Sequence, residues 1–254
     1  MPLRVVISGA SSGLGLALAK HYLQQGAHVA ACARRADLLQ TLAEQFPGQV
    51  SCYALDVRDA PALQSAAQDF ITRVGLPDIV IANAGVSSGT LTEYAEDIHA
   101  FQQVMDINVM GVVKTFQPFI TAMRNAGSGT LVGVASVAGF RGLPGAGAYS
   151  ASKAALISYL ESLRVELHSS GISVVTLCPG FIETPMTAIN PYTMPFILPA
   201  DEAALRIARV IKARKVFAVV PWQMGLVGLV LKRLPHWLYR RILSKAKHKP
   251  RGLV

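Results

Sequence analysis

Short apolar runs recur along the chain, and each is followed by a segment whose apolar residues fall at helical spacing. The first run, Leu3-Arg4-Val5-Val6-Ile7, is mostly β-branched and passes through Ser8-Gly9-Ala10-Ser11-Ser12-Gly13-Leu14-Gly15 into a helical pattern carried by Leu16, Leu18, Ala19, Tyr22 and Leu23. Runs at 27–33, 79–82, 131–135 and 216–220 repeat the theme. Continuous apolar runs of this length mark strands buried on both faces. Their alternation with helical segments predicts an α/β fold, a doubly wound Rossmann-type parallel sheet with helices on both faces. At 254 residues the chain suffices for one such domain with a sizeable core. No repeat or low-complexity linker divides it. The pattern places an α/β domain over 1–220 and a helical extension over 221–254.

Two stretches carry candidate chemistry. In Tyr149-Ser150-Ala151-Ser152-Lys153, a phenol and an ammonium stand at i and i+4, on one face of a helix. A free phenol is a poor acid–base catalyst near neutrality because its pKa is about 10. A fixed cation beside it favours the phenolate and draws that value toward the working range. The second stretch is the glycine loop between the first strand and helix, spaced G-x-x-x-G-x-G. Glycines there allow a tight turn and a close backbone approach, and they leave helix-start N–H groups free to hold a phosphate.

Further motifs follow in order: Asp56-Val57 after the third strand, Asn83-Ala84-Gly85 after the fourth, Asn108 in a helix, Ser136 at the end of the fifth strand, and Pro179-Gly180-Phe181-Ile182-Glu183-Thr184 closing the sixth. With the glycine loop and the Tyr149–Lys153 pair, they resemble the classical short-chain dehydrogenase/reductase family from residue 3 to about 200. Ser8 stands where threonine is usual, Leu14 where isoleucine is common, and Ala82 where many members have asparagine.

The resemblance implies a seven-stranded sheet and hydride transfer between a nicotinamide and a carbonyl or alcohol carbon. Tyr149 would exchange the proton at the substrate oxygen. Lys153 would lower the tyrosine pKa and hold the nicotinamide ribose, Ser136 would bind the substrate oxygen, and Asn108 would fix a water beside Lys153. The dinucleotide would contact Gly9, Ser11, Ser12, Gly13, Leu14, Gly15, Asp56, Val57, Asn83, Ala84, Gly85, Tyr149, Lys153, Pro179, Gly180, Ile182 and Thr184. Phe140, Leu143, Phe181, Met186, Ile189, Met194, Phe196 and Ile197 lie in segments that flank the cleft in this family. They suggest a lipophilic substrate such as a fatty-acyl, sphingoid, retinoid or steroid-like ketone. Segment 186–200, with Pro191, Pro195 and Pro199, is expected to form a mobile substrate loop. A homo-oligomer, dimer or tetramer, is also expected. The alternative is a non-catalytic dinucleotide-binding sensor or scaffold, but such members usually lose the tyrosine or lysine that this chain keeps.

After the second strand the chain reads Arg34-Arg35, and no acid occurs between Gly15 and Asp37. A carboxylate here would accept from a ribose 2′-hydroxyl, whereas a 2′-phosphate calls for a cation. A guanidinium grips phosphate with two parallel hydrogen bonds, and Ser12 adds a hydroxyl. NADP(H) is therefore expected over NAD(H).

Charge is distributed unevenly. Of 24 Lys and Arg, 13 fall after residue 202, where there is no acid; the first 202 residues hold the other 11 against all 15 Asp and Glu. The basic tail is also apolar: Val216 to Leu231 are uncharged. About ten apolar residues follow Pro221, too few for a bilayer span of about twenty. Between 236 and 249, Leu238, Ile242 and Ala246 form an apolar stripe beside Trp237 and Leu243, with Arg240, Arg241, Ser244, Lys245 and Lys247 on other faces. That pattern suits an anionic membrane surface through 222–249. A packed helix covering the substrate cleft and a dimer arm are the competing readings. Nucleic acid is not expected, because the apolar stripe has no use there. Cys32, Cys52 and Cys178 show no metal spacing and read as free buried thiols, and the six histidines are scattered, so no metal site is expected. Met1-Pro2 leads straight into the first strand, leaving no cleavable signal and a cytoplasmic expectation, with a peripheral place on the membrane face as the variant.

Overall fold

The computed structural model describes residues 2–245 and 248–252. Its first half alternates β1 (Arg4–Ser8), α1 (Gly13–Gln24), β2 (His28–Ala33), α2 (Ala36–Gln45), β3 (Val50–Ala54), α3 (Ala60–Arg73) and β4 (Ile79–Ala82). The second continues with α4 (Asp97–Met105), α5 (Gly111–Ala126), β5 (Gly129–Val134), α6 (Gly147–Glu166), β6 (Ile172–Pro179), α7 (Pro185–Ala188), α8 (Ala200–Lys212) and β7 (Phe217–Val220), then α9 (Trp222–Arg233) and α10 (His236–Leu243). All seven strands pair in parallel in the order β3-β2-β1-β4-β5-β6-β7. The order reverses between β1 and β4, and in open parallel sheets the ligand crevice lies beyond the strand ends at such a switch point.

The runs are uniformly apolar because helices cover both faces. Val5 and Ile7 point into one layer with Leu18, Val29 and Ile207 of α1, β2 and α8, while Val6 points into the other with Phe70, Phe116 and Leu156 of α3, α5 and α6. Residues i and i+2 of a strand share a face and i+1 takes the opposite one. Local signals agree with this layering: Asp59 caps α3 by accepting from the Ala62 N–H at 3.0 Å, with Pro61 in the first turn. Between α4 and α5 the helix does not break but widens into a π-turn at Asp106–Met110, centred on Asn108. Such turns add a residue to the helix and re-aim side chains, often at functional sites.

Two expectations need correction. Cys32 and Cys178 are buried, but Cys52 is exposed, because β3 is an edge strand. The helix expected over 236–249 stops at Leu243. Ala246 and Lys247 of the expected stripe lie outside the described residues. Residues 248–251 run back over the domain. Gly89 N–H donates to the Pro250 carbonyl at 3.0 Å, and Arg251 pairs with Asp97 at 2.8 Å and Glu96 at 2.9 Å. Its guanidinium also lies 3.5 Å over the Tyr94 ring. Among the described residues, no helix is long and apolar enough to cross a membrane.

Candidate active site

The crevice at the β1/β4 switch is a cavity of about 300 Å³. Its floor depends on the glycine loop. A methyl group on Gly15 would lie 2.2 Å from the Gly9 carbonyl, so only glycine lets α1 start this close to β1. The loop after β4 is tied down across the switch. The Ser8 hydroxyl accepts from the Asn83 and Ala84 N–H groups at 3.1 and 3.2 Å, and Asn83 Nδ2 donates to the Ser8 carbonyl at 3.1 Å. A serine hydroxyl does this as well as a threonine's, so the departure at position 8 costs the loop nothing.

The glycine-loop residues Gly9, Ser11, Ser12, Gly13, Leu14 and Gly15 border this cavity, and so do Arg34, Arg35, Asp56 and Val57. Asn83, Ala84 and Gly85 form its middle, and Pro179, Gly180, Ile182 and Thr184 its far wall, beside Ser136, Tyr149 and Lys153. Arg35 donates to the Ser11 and Ser12 hydroxyls at 3.0 and 2.7 Å, placing a cation, two hydroxyls and the start of α1 together. Asp56 is taken up by Arg58, 2.8 Å away, which holds its carboxyl below the usual range. The set fits a dinucleotide: a Gly-lined phosphate cradle at one end, a cationic pocket at its side, and the tyrosine–lysine pair at the other end. Val86, Ile107 and Met186 also border the cavity. Met186 is among the cleft-flanking residues named from the sequence; Val86 and Ile107 belong to no motif, and apolar residues in loops and helix ends carry no signal of their own.

At the tyrosine–lysine end, Ser136 ends β5 and turns the chain, its hydroxyl accepting from the Ala138 N–H at 3.1 Å. Tyr149 and Lys153 rise from the first turns of α6. Lys153 is 4% exposed; its ammonium donates to the Val134 carbonyl at 2.8 Å and stands 5.7 Å from the Tyr149 ring centre. Burial pulls the Lys153 ammonium down to about 8. Burial pushes the Tyr149 phenol up, opposed by the Ser136 hydroxyl beside it. Burial is thus the largest influence on the phenol. The long Lys153 side chain reaches past the ring to the end of β5, so its charge faces a carbonyl.

Asn108 does not border the cavity. Its Oδ1 accepts from the Val86 N–H at 2.8 Å, and its Nδ2 donates to the Val86 carbonyl at 2.9 Å and the Ser152 hydroxyl at 3.0 Å. Both amide N–H bonds are used within the protein. Asn108 thus clamps the loop after β4 to α6, directly behind Lys153, and one Oδ1 lone pair remains.

A second cavity of about 220 Å³ opens from Ser136 and Tyr149 away from the glycine loop. Phe140, Leu143, Phe181 and Met186 line it as expected. Ile189, Met194, Phe196 and Ile197 do not; Ile189 and Phe196 are 41% and 52% exposed. Their segment, 186–200, forms the short α7 and then irregular chain tied at the Ile182–Leu198 bridge, so only some of its residues face inward. The missing wall comes from α9, through Met224, Val227, Gly228 and Leu231. A methyl group on Gly228 would fall 2.3 Å from the Phe140 ring, so the glycine sets how closely α9 approaches the cleft. Those four positions are spaced i, i+3, i+4 and i+7, a helical face legible in the sequence. Arg141, Tyr192 and Lys249 also line it. Among the described residues, no group of histidine, cysteine or carboxylate side chains could hold a metal ion.

Comparison with known proteins agrees with this architecture. A family profile described as short chain dehydrogenase matches residues 4–193. An uncharacterized oxidoreductase of Myxococcus xanthus is 36% identical over 92% of this chain and 93% of its own. A 2-dehydro-3-deoxy-L-rhamnonate dehydrogenase (NAD(+)) of Sphingomonas is 35% identical over 71% of this chain and 72% of its own. Among solved structures, a short-chain dehydrogenase from Streptomyces avermitilis superposes with a TM-score of 0.79 at 23% identity, covering 96% of this chain and all of that one. This chain belongs to the short-chain dehydrogenase/reductase family.

Proposed function

We propose that this family member is an NADP(H)-dependent oxidoreductase that interconverts a carbonyl and a secondary alcohol on a lipophilic substrate. That it is an NAD(P)-dependent oxidoreductase follows from its family. The finer reading is carried by one observation: Ser136 and Tyr149 border both cavities, so a molecule in the second meets the hydroxyl pair where the first ends. A nicotinamide cofactor, when bound, supplies or accepts the hydride. In the reducing direction the Tyr149 phenol gives its proton to the carbonyl oxygen, which the Ser136 hydroxyl steadies as charge develops on it. Lys153, whose ammonium is held at about 8, exchanges protons near neutrality and restores the phenol. Asn108 acts as a positioning residue, keeping α6 and the loop after β4 at a fixed separation.

NADP(H) is favoured over NAD(H) by Arg35, its two hydroxyl partners and the neighbouring Arg34, with no competing acid at the end of β2. The Sphingomonas relative is named for NAD(+), so the choice rests on these residues alone. Michaelis constants for both cofactors test it: a preference for NADPH that Arg35→Ala reduces by about tenfold or more is expected. Loss of NADPH absorbance with a panel of apolar ketones tests the substrate class, and turnover restricted to small polar carbonyls would overturn it. The sensor or scaffold alternative predicts nucleotide binding with no turnover at all.

Two partnerships belong to the same proposal. Trp222, Leu226 and Val230 on α9 and Trp237 and Ile242 on α10 are exposed beside Lys232, Arg233, Arg240 and Arg241, which supports contact with an anionic membrane surface. Val165 on α6 and Met110 before α5 are exposed apolar residues on the helices about the catalytic site, which supports a homo-oligomer, dimer or tetramer.

A further inference from the structure

The second cavity contains a cation that hydride and proton transfer do not use. Lys249 is 6% exposed and borders the cavity, where its ammonium donates to the Met186 carbonyl at 3.2 Å. An ammonium has three N–H donors, and this carbonyl takes one. Among the described residues, none forms an ion pair with it, and no Asp or Glu borders the cavity. The other cation in the wall, Arg141, is already committed: it donates to the Leu231 and Leu234 carbonyls at the end of α9 and stacks 3.9 Å over Tyr239.

A lysine in a solvated tail keeps its charge in water at no cost, whereas a buried, unpaired ammonium is expensive. Burial has already pulled this one down to about 8. Its neighbours hold it there. Pro250 accepts from Gly89, and Arg251 is locked to Asp97 and Glu96, so residue 249 is held against the domain from its C-terminal side. The rest of the lining is apolar or neutral, with Phe140, Leu143, Phe181, Val227 and Leu231 around the space that leads to Tyr149.

We propose that the substrate carries, besides its carbonyl and apolar body, an anionic oxyacid group, carboxylate or phosphate, that Lys249 binds inside this cavity. The proposal rests on the reading of the second cavity as the substrate site and narrows it from a neutral lipid-like ketone to an amphiphilic anion. The carbonyl sits at Ser136 and Tyr149, the chain runs along the α9 face, and the anion accepts from the Lys249 ammonium. A charge-assisted hydrogen bond away from water separates such a molecule from its neutral counterpart.

The experiment is a graded series of oxo-carboxylic acids, each with its methyl ester and its matched oxo-alkyl phosphate, assayed with NADPH. At one or more chain lengths an anion is expected to exceed the ester in kcat/KM by about tenfold or more. The carboxylate and phosphate arms show which anion fits. Lys249→Met should bring the anion-to-ester ratio to about one, and Lys249→Arg should retain a preference. A role limited to tying the tail to Met186 would change both substrates alike and leave the ratio intact. Esters reduced as well as anions, or a ratio that survives Lys249→Met, overturns the assignment of Lys249 while the lipophilic-carbonyl reading stands. If neither anions nor esters are reduced, the lipophilic-carbonyl reading itself falls and takes this inference with it. Should Lys249→Met fail to fold, the wild-type holoenzyme still decides: a saturated fatty acid must raise Tm more than its methyl ester, and equal shifts count against the proposal.

Discussion

Tyr149 and Lys153 occupy adjacent turns of α6, yet burial acts on them in opposite senses, raising the phenol and lowering the ammonium. Each change favours the neutral form, as expected where solvent is scarce. Tyr149→Phe removes the ionisable hydroxyl proton and should lower kcat by about 10²–10⁴-fold while nucleotide Kd, read by fluorescence titration, stays nearly unchanged. Lys153 makes a statement about stability as well. Its folded-state pKa of about 8 lies below the ordinary 10.5, so the unfolded chain binds more protons between those values and the penalty is fully present below pH 8. Lys153→Met should therefore gain Tm relative to wild type at pH 7 and lose that gain toward pH 10.5. Identity and spacing of these residues were legible in the sequence, because motif chemistry fixes residue type. The direction of the tyrosine's displacement was not, since it depends chiefly on how deeply the fold buries the phenol.

At the scale of elements, strand runs and the glycine loop foretold the sheet because each obeys local rules of period and turn. The tail obeyed no single rule. Apolar residues at helical spacing suit a bilayer surface, a partner chain or a cleft, and only tertiary contact with Phe140 shows what the face of Met224, Val227, Gly228 and Leu231 covers. The return of residues 248–251 was invisible for the same reason, as its anchors Glu96 and Asp97 lie far away in sequence. Arg251→Ala should free this segment, raising substrate KM about fivefold with nucleotide Kd unchanged and speeding limited proteolysis near residue 245. The clasp also has a pH sense. Arg251 holds the Asp97 carboxyl below its usual range, so its contribution is present above the ordinary carboxylate pKa of about 4 and fades only as pH falls through the lower folded value. Wild-type KM should be steady from neutral to pH 5, and tail susceptibility to protease should rise only in stronger acid.

For the molecule as a whole, charge divides by position along the chain. The acidic residues all lie within the first 202, while α9 and α10 carry cations beside exposed Trp222, Leu226, Trp237 and Ile242. If that face meets a membrane, the full protein should co-sediment with vesicles containing anionic lipid at low salt, and reversing Arg240 and Arg241 to Glu should release it. Failure to sediment, or binding indifferent to that reversal, would leave α9 as a cleft wall alone.

The two cavities also differ in when, during synthesis, their walls exist. Every residue that borders the nucleotide cavity precedes residue 188, whereas the other cavity waits for residue 249. A chain clipped between Leu243 and Lys249 would keep the residues that border the nucleotide cavity and lose Lys249 from the lining of the other. Such a product would hold a nicotinamide cofactor unproductively, so intactness of residues 248–251 becomes a quality mark for the enzyme.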